Sequence, residues 1–262
     1  MSTRGTALIT GASTGIGAVY ADRLAKRGYD LILVARNLDR LKQVAAKLAG
    51  TGVKIETLQA DLTDQADLAK VEKRLADDAG ITLLVNNAGS SIAGGTLDSD
   101  IAKLDQMLSL NVVAPTHLAK VAGNSFAARK AGAIINIASV VPLVPRMFPG
   151  PYGATKAFML NFSETLAAEL APHGVKVQAV LPGATRTEIW EKSGKSVDDL
   201  PPEMVMEVDE MVDASLSGFD QGELITIPSL SDPAQLQAML AARDALGPNL
   251  SLKHAARRYK AA

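Results

Sequence analysis

The chain has 262 residues, 47% of them hydrophobic and 21% charged, which suits one large α/β domain with a substantial core. Its 27 basic and 28 acidic residues leave a formal net charge of -1, so no global field recruits nucleic acid, and with no cysteines and three scattered histidines (His117, His173, His254) no metal site is expected. No apolar run approaches the roughly 18 residues of a membrane span, and the first strand begins too early for a signal peptide to precede it, so a cytoplasmic protein without membrane attachment is the expectation.

In chain order, the apolar run Ala7-Leu8-Ile9 leads into the small-residue loop Thr10-Gly11-Ala12-Ser13-Thr14-Gly15-Ile16-Gly17. Ile16, Val19, Ala21, Leu24 and Ala25 then follow at helical spacing, so the segment reads as strand, turn, helix. Small residues allow close backbone approach to a phosphate, and a helix N-terminus favours negative charge. The strict G-x-G-x-x-G fingerprint is broken, because Tyr20 stands three residues after Gly17, and no Lys follows a second Gly as a P-loop requires.

Strand-type runs at Leu31 to Ala35, Val53 to Leu58, Ile81 to Val85, Ala133 to Ala138, Val175 to Leu181 and Leu224 to Ile227 alternate with helical patterns. The pattern at Leu38 to Leu48, apolar at 38, 41, 44, 45 and 48, predicts an amphipathic helix capped by Asn37. Such alternation predicts right-handed βαβ units and a doubly wound parallel sheet in three layers. The rhythm breaks at Glu188 to Met206, a polar, Gly/Pro-containing stretch with Trp190 and methionines set in it, which reads as a mobile flap reaching to about residue 219. Beyond the last strand, Asp232 is placed to cap a helix with Pro233 at its first position, ending before Gly247-Pro248, and the basic residues Lys253, Arg257, Arg258 and Lys260 follow. No interdomain linker stands out, so 1–262 is expected to form a single domain, with 229–262 as a helical extension.

Taken jointly, these residues resemble the short-chain dehydrogenase/reductase family over roughly residues 5 to 190. Thr10 to Gly17 match its T-G-x-x-x-G-x-G; Asn86-Asn87-Ala88-Gly89 match N-N-A-G; Tyr152 and Lys156 match Y-x-x-x-K, thirteen residues after Ser139 at the end of the fifth strand. Asn111 matches the family's helical asparagine, and Pro182-Gly183 with Thr187 match the segment after the sixth strand. The resemblance implies a Rossmann fold and a nicotinamide cofactor held by Gly11, Ser13, Thr14, Gly15, Ile16, Gly17, Asp61, Leu62, Asn87, Ala88, Gly89, Tyr152, Lys156, Pro182, Gly183 and Thr187. It further implies that Lys156 holds the nicotinamide ribose, that Asn111 anchors a water relaying protons to Lys156, and that the helices near 100–126 and 151–171 form a homodimer or homotetramer surface.

The chemistry accounts for these residue types. Reducing a carbonyl needs a hydride and a proton delivered to the developing alkoxide, and Tyr152 is the candidate acid. Bringing a phenol from a pKa near 10 to about 7 takes roughly 4 kcal/mol, part of which Lys156, one helical turn along, can supply as an ammonium. Ser139 can donate a hydrogen bond to the carbonyl oxygen.

At the end of the second strand an acid would grip the 2′-hydroxyl of NAD, whereas an arginine accommodates the 2′-phosphate of NADP. The residues there are Ala35-Arg36-Asn37, so NADP(H) is expected, with Arg36 on the phosphate and Asn37 or Arg40 assisting. The pocket is expected to be walled by Ser91, Val141, Met147, Phe148 and Trp190, which suits a moderately hydrophobic carbonyl or alcohol substrate and, with so many methionines nearby, broad specificity. A non-catalytic sensor of NADP(H) redox state on the same fold is the alternative, weakened by the intact Ser139, Tyr152 and Lys156.

Overall fold

The computed structural model describes residues 4–92, 94–192 and 196–260. They divide into two compact units, 1–228 and 229–262, the second coinciding with the stretch set off in the sequence as a C-terminal extension.

In the first unit the strands are β1 Thr6–Thr10, β2 Asp30–Ala35, β3 Ile55–Gln59, β4 Ile81–Asn86, β5 Ala133–Ile137 and β6 Lys176–Val180, followed by the short β7 Ala184–Thr185, β8 Val205–Met206 and β9 Ile225–Thr226. The helices are α1 Gly15–Lys26, α2 Leu38–Leu48, α3 Gln65–Asp77, α4 Ile101–Leu108, α5 Ala114–Arg129, α6 Pro151–Leu170, α7 Ile189–Lys192 and α8 Val208–Gln221. Seven strands form a parallel sheet in the order β3-β2-β1-β4-β5-β6-β9, while β7 and β8 pair separately.

Period-2 alternation distributes each strand between two cores. Ala7, Ile9, Leu31, Leu33, Leu83, Val85 and Ile135 meet Tyr20 and Leu24 of α1, Leu41 of α2 and Met211, Val212 and Leu216 of α8. Leu8, Ile32, Val34, Leu84 and Ile134 face Val71 of α3, Leu118 and Phe126 of α5 and Leu166 of α6. Both faces being covered, the strands read as continuous apolar runs, as parallel strands do. The chain order reverses between β1, which leads leftward to β2 and β3, and β4, which leads to β5 and β6; ligands of such sheets bind at this switch point, beyond the carboxyl ends of the strands.

Helix α2 has the predicted bounds, and Asn37 caps it by accepting from the Arg40 backbone N–H at 2.9 Å. The flap expectation for 188–219 needs correction. Residues 208–219 belong to α8, whose Met211, Val212 and Leu216 are at most 1% exposed. Their spacing, with Ser215 between them, follows one helical face that the polar composition of the preceding stretch obscured. The segment proper, up to Met206, contains α7, two single 3₁₀ turns at Val197–Asp199 and Pro202–Met204, and β8 on β7. Among the described residues no helix is long and apolar enough to cross a membrane.

In the second unit, α9 Pro233–Asp244 is capped as expected, Asp232 accepting from the Ala234 N–H at 3.0 Å. None of residues 229–260 is buried, Lys253, Arg257, Arg258 and Lys260 included.

Candidate active site

The glycine loop between β1 and α1 is shaped by what it touches. Gly11 has φ +66°, and a Cβ there would stand 2.8 Å from Asn87 Nδ2; a Cβ on Gly17 would stand 2.4 Å from the Gly11 carbonyl oxygen. Both positions therefore exclude any side chain. Thr10 Oγ1 accepts from the N–H groups of Asn87 and Ala88 at 3.0 Å, and Asn87 Nδ2 donates to the carbonyls of Thr10 and Gly11 at 2.9 and 3.2 Å. Asn87 is thus placed as a brace for the loop, its side-chain N–H groups bonded to backbone carbonyls.

Thr14, the N-cap of α1, makes no side-chain cap bond, and the first turn of α1 carries no acid. Glycines that admit no side chain, followed by an uncapped 12-residue helix, fit a bound pyrophosphate. Tyr20, which breaks the glycine fingerprint, is fully buried and hydrogen-bonds the Ser215 hydroxyl of α8; its ring occupies the core between the two helices where a third glycine would have allowed closer packing.

At the end of β2, Arg36 is exposed and lies 3.7 Å from the Asp61 carboxylate. Burial, the largest influence on Asp61, pushes its carboxyl up, but hydrogen bonds from the Thr63 N–H and hydroxyl and the Arg36 charge outweigh it and hold it below the usual carboxylate range. Leu62 is 6% exposed and belongs to the α3 side of the core, so only its backbone could meet a base. Arg36 offers an exposed guanidinium with one loose partner, a fit for an added phosphate.

The residues expected at the reacting centre are brought together. Ser139 follows β5 and is 7% exposed; its hydroxyl accepts from the Val141 N–H at 3.2 Å and lies near enough to the Tyr152 phenol to pull its pKa down in part. Lys156, 5% exposed, donates from Nζ to the Ile137 carbonyl at 2.7 Å and stands 5.8 Å from the centroid of the Tyr152 ring. Asn111 lies in a π-helical turn, Ser109–Val113, that interrupts the helix expected over 100–126, a local widening typical of functional positions. Its amide clamps the loop after β4, accepting from the Ser90 N–H at 2.9 Å and donating to the Ser90 carbonyl at 2.8 Å, and it also donates to Thr155 Oγ1 at 3.1 Å. A Cβ on Gly89 would crowd Asn111 Oδ1 at 3.3 Å and come into ordinary contact with Lys156 Nζ at 3.6 Å, which places this glycine between the two.

Burial dominates the electrostatics of the pair: it pushes the Tyr152 phenol up to about 12, Ser139 only partly opposing it, and pulls the Lys156 ammonium down to about 8. A lysine held by a carbonyl and 5.8 Å from the ring does not outweigh desolvation. With these shifts the Tyr152 phenol is neutral at pH 7 and Lys156 remains mostly cationic.

Around this centre, the Val140 N–H bonds the Pro182 carbonyl at 3.0 Å, tying the loops after β5 and β6 together. A Cβ on Gly15 would meet Thr187 at 3.4 Å, which places Thr187 by the glycine loop, and one on Gly153 would meet Val141 at 3.1 Å, which places Val141 against the start of α6. Ser91 and Trp190 are half-buried, with the Trp190 indole donating to the Thr185 carbonyl at 2.8 Å. Met147 and Phe148 are 69% and 44% exposed, an open apolar rim.

Three supporting residues went unrecognised in the sequence. Thr155 joins Asn111 to the first turn of α6, donating to the Tyr152 carbonyl at 2.8 Å. Asn136 accepts from Asn86 at 3.0 Å and donates to Ser163 Oγ at 2.9 Å, fixing α6 to the sheet. Polar residues inside an apolar strand and on the buried face of a helix were the available signals.

Residues 5–198 match the short chain dehydrogenase family. A curated relative, an uncharacterized oxidoreductase of Staphylococcus epidermidis, is 34% identical over 71% of this chain and 80% of its own. Among solved structures, a short-chain dehydrogenase from Sphingobium yanoikuyae in complex with NADPH is 50% identical with a TM-score of 0.95, covering 98% of this chain and 100% of that one. A bulky-bulky ketone specific alcohol dehydrogenase from Comamonas testosteroni is 45% identical with a TM-score of 0.91, over 98% and 99%. With the doubly wound sheet, the glycine loop and the assembled Ser139, Tyr152 and Lys156, this chain belongs to the short-chain dehydrogenase family of oxidoreductases.

Proposed function

We propose that the protein is an NADP(H)-dependent reductase of ketones bearing two large substituents, working reversibly with the corresponding alcohols. The observation that carries this reading is the convergence of Ser139, Tyr152 and the buried Lys156, its Nζ 5.8 Å from the Tyr152 ring centroid, beside a glycine loop fitted to a pyrophosphate. Arg36, exposed at the end of β2 with no acid in its place, supports the phosphorylated cofactor, as does the NADPH held by the relative from Sphingobium yanoikuyae. The apolar, open rim of Met147 and Phe148 beside Val141 supports a bulky ketone, the substrate class in the name of the Comamonas testosteroni relative.

When bound, the reduced nicotinamide supplies the hydride for the carbonyl carbon. Tyr152 donates its phenolic proton to the carbonyl oxygen as charge develops there, and Ser139 offers that oxygen a second hydrogen bond. Lys156, cationic below pH about 8, stabilises the phenolate left behind and binds the cofactor's ribose. Because the Asn111 amide hydrogens are taken by Ser90 and Thr155, the water that reprotonates this pair through Lys156 is assigned to the Asn111 main-chain carbonyl. Self-association through α4, α5 and α6, where Ile101, Leu108, Val113 and Phe158 are exposed, belongs to the same reading.

Following NADPH and NADH oxidation against ketones of increasing bulk tests this. Turnover with two-sidedly bulky ketones at a kcat/KM at least tenfold higher for NADPH, a preference that collapses in Arg36→Ala, is expected. Equal use of both cofactors, or no turnover of any ketone by protein that binds NADPH, would overturn it.

A further inference from the structure

Arg40 lies one helical turn beyond Asn37, at the start of α2, and its backbone N–H is the group that Asn37 caps. Its side chain does not turn toward α2. Arg40 Nη1 reaches across 148 positions of sequence to Glu188 Oε2 at 2.8 Å. Glu188 directly follows Thr187, which stands by the glycine loop, and immediately precedes α7, which carries Trp190. This ion pair therefore spans from the turn after β2, which carries Arg36, to the first residues of the flap. Both partners keep a third or more of their side-chain surface, 47% and 38%, so the pair is accessible to a competing anion.

We propose that Arg40 is shared between Glu188 and the 2′-phosphate of the cofactor, so that a phosphorylated ribose at Arg36 draws Arg40 away from Glu188 and thereby changes the setting of the flap. The inference rests on the NADP(H) reading. It makes Arg40 a positioning residue for the substrate side of the cleft, and it gives the enzyme a means of telling its flap which cofactor is bound. Arginine suits the role because a planar fork can engage a carboxylate or a phosphate with equal geometry, whereas the phosphate carries the larger charge. The exchange trades one exposed charge pair for another, so its effects are modest, on the order of three- to five-fold.

Trp190 is the chain's single tryptophan and lies two residues beyond Glu188, so its emission reports the setting of the segment. The probes are adenosine 2′,5′-bisphosphate and adenosine 5′-monophosphate, which differ in the 2′-phosphate and carry no nicotinamide to reach Trp190 directly. Calorimetry gives affinity, and Trp190 emission is read at saturation. The bisphosphate is expected to bind at least tenfold tighter and to shift the emission, whereas the monophosphate leaves it unchanged. In Glu188→Gln the bisphosphate should bind about three- to five-fold tighter with the emission shift abolished; Arg40→Gln should weaken it by a similar factor and also abolish the shift, with Arg40→Lys restoring part of the affinity. Equal affinity of the two probes would overturn the NADP(H) reading together with the proposal. Tight, selective bisphosphate binding with a silent Trp190, or an emission shift that survives in Glu188→Gln, would overturn the sharing of Arg40 alone.

Discussion

Helix α6 and the segment from Arg186 to Met206 both serve the cleft, yet they are fastened by different forces. The helix is held by buried hydrogen bonds: Asn136 to Ser163, Asn111 to Thr155 and Lys156 to the Ile137 carbonyl, all with residues at most 5% exposed apart from Ile137 at 6%. The flap has the short β7–β8 pairing and the Trp190 bond to Thr185, and its side chains are otherwise tied by surface charges, Arg186 to Asp198 at 2.7 Å and to Glu207 at 2.9 Å and Arg40 to Glu188 at 2.8 Å, on side chains 38% to 74% exposed. Leaving one buried polar group unpaired costs about 1–3 kcal/mol, whereas an exposed ion pair contributes about 0–1 kcal/mol. The helix that carries Tyr152 and Lys156 is thus firmly fixed, whereas the segment from Arg186 to Met206 is tied by charge pairs that cost little to rearrange; under the proposed function this division would join fixed chemistry to an adjustable substrate wall.

Below Tyr152 itself, the largest effect is expected at Lys156. Lys156→Met should lower kcat about 10²- to 10³-fold while thermal unfolding shows the same or a higher Tm, because a buried ammonium that burial disfavours is replaced by an apolar chain. A clear drop in Tm would mean the lysine is structural. Asn136→Ala should cost about 2 kcal/mol in denaturant unfolding and lower kcat with little change in KM, since it loosens the helix that carries the acid. Unchanged kcat in a destabilised variant would detach this network from the site.

The pH dependence has a definite sign. Burial lowers Lys156 to about 8, so it is charged below that pH and neutral above it; ketone reduction should be level from pH 6 to about 7.5 and fall beyond 8, and a rate that holds to pH 10 would remove Lys156 from the rate-determining charge balance. The smallest effect is expected in the flap: Arg186→Gln should move KM for bulky ketones two- to five-fold and stability by less than about 1 kcal/mol, whereas a large loss of stability would show the flap to be as firmly built as α6.

What was legible in the sequence was local. Strand runs, the bounds of α2, its Asn37 cap and the capped α9 each lie in a few consecutive residues, as do the glycine loop and the Tyr152–Lys156 spacing. Pairings across the chain were hidden: Asn136 with Ser163 over 27 positions and Arg40 with Glu188 over 148 are set by topology, not by pattern. Tyr20 was read as a broken fingerprint, although it is a core residue bonded to Ser215 across 195 positions. The desolvation of Tyr152 was hidden for a related reason, since a nearby ammonium is visible in Y-x-x-x-K but burial exists only after folding. The flap's end was misplaced because composition dominated where α8 had already begun.

The most direct test of the account is Tyr152→Phe, which keeps the ring and deletes the proton. Full NADPH affinity by calorimetry with turnover of a bulky ketone lowered about 10²- to 10⁴-fold is the predicted result. Turnover within a few-fold of the unmodified enzyme would contradict it, and the proton would have to come from elsewhere in the site.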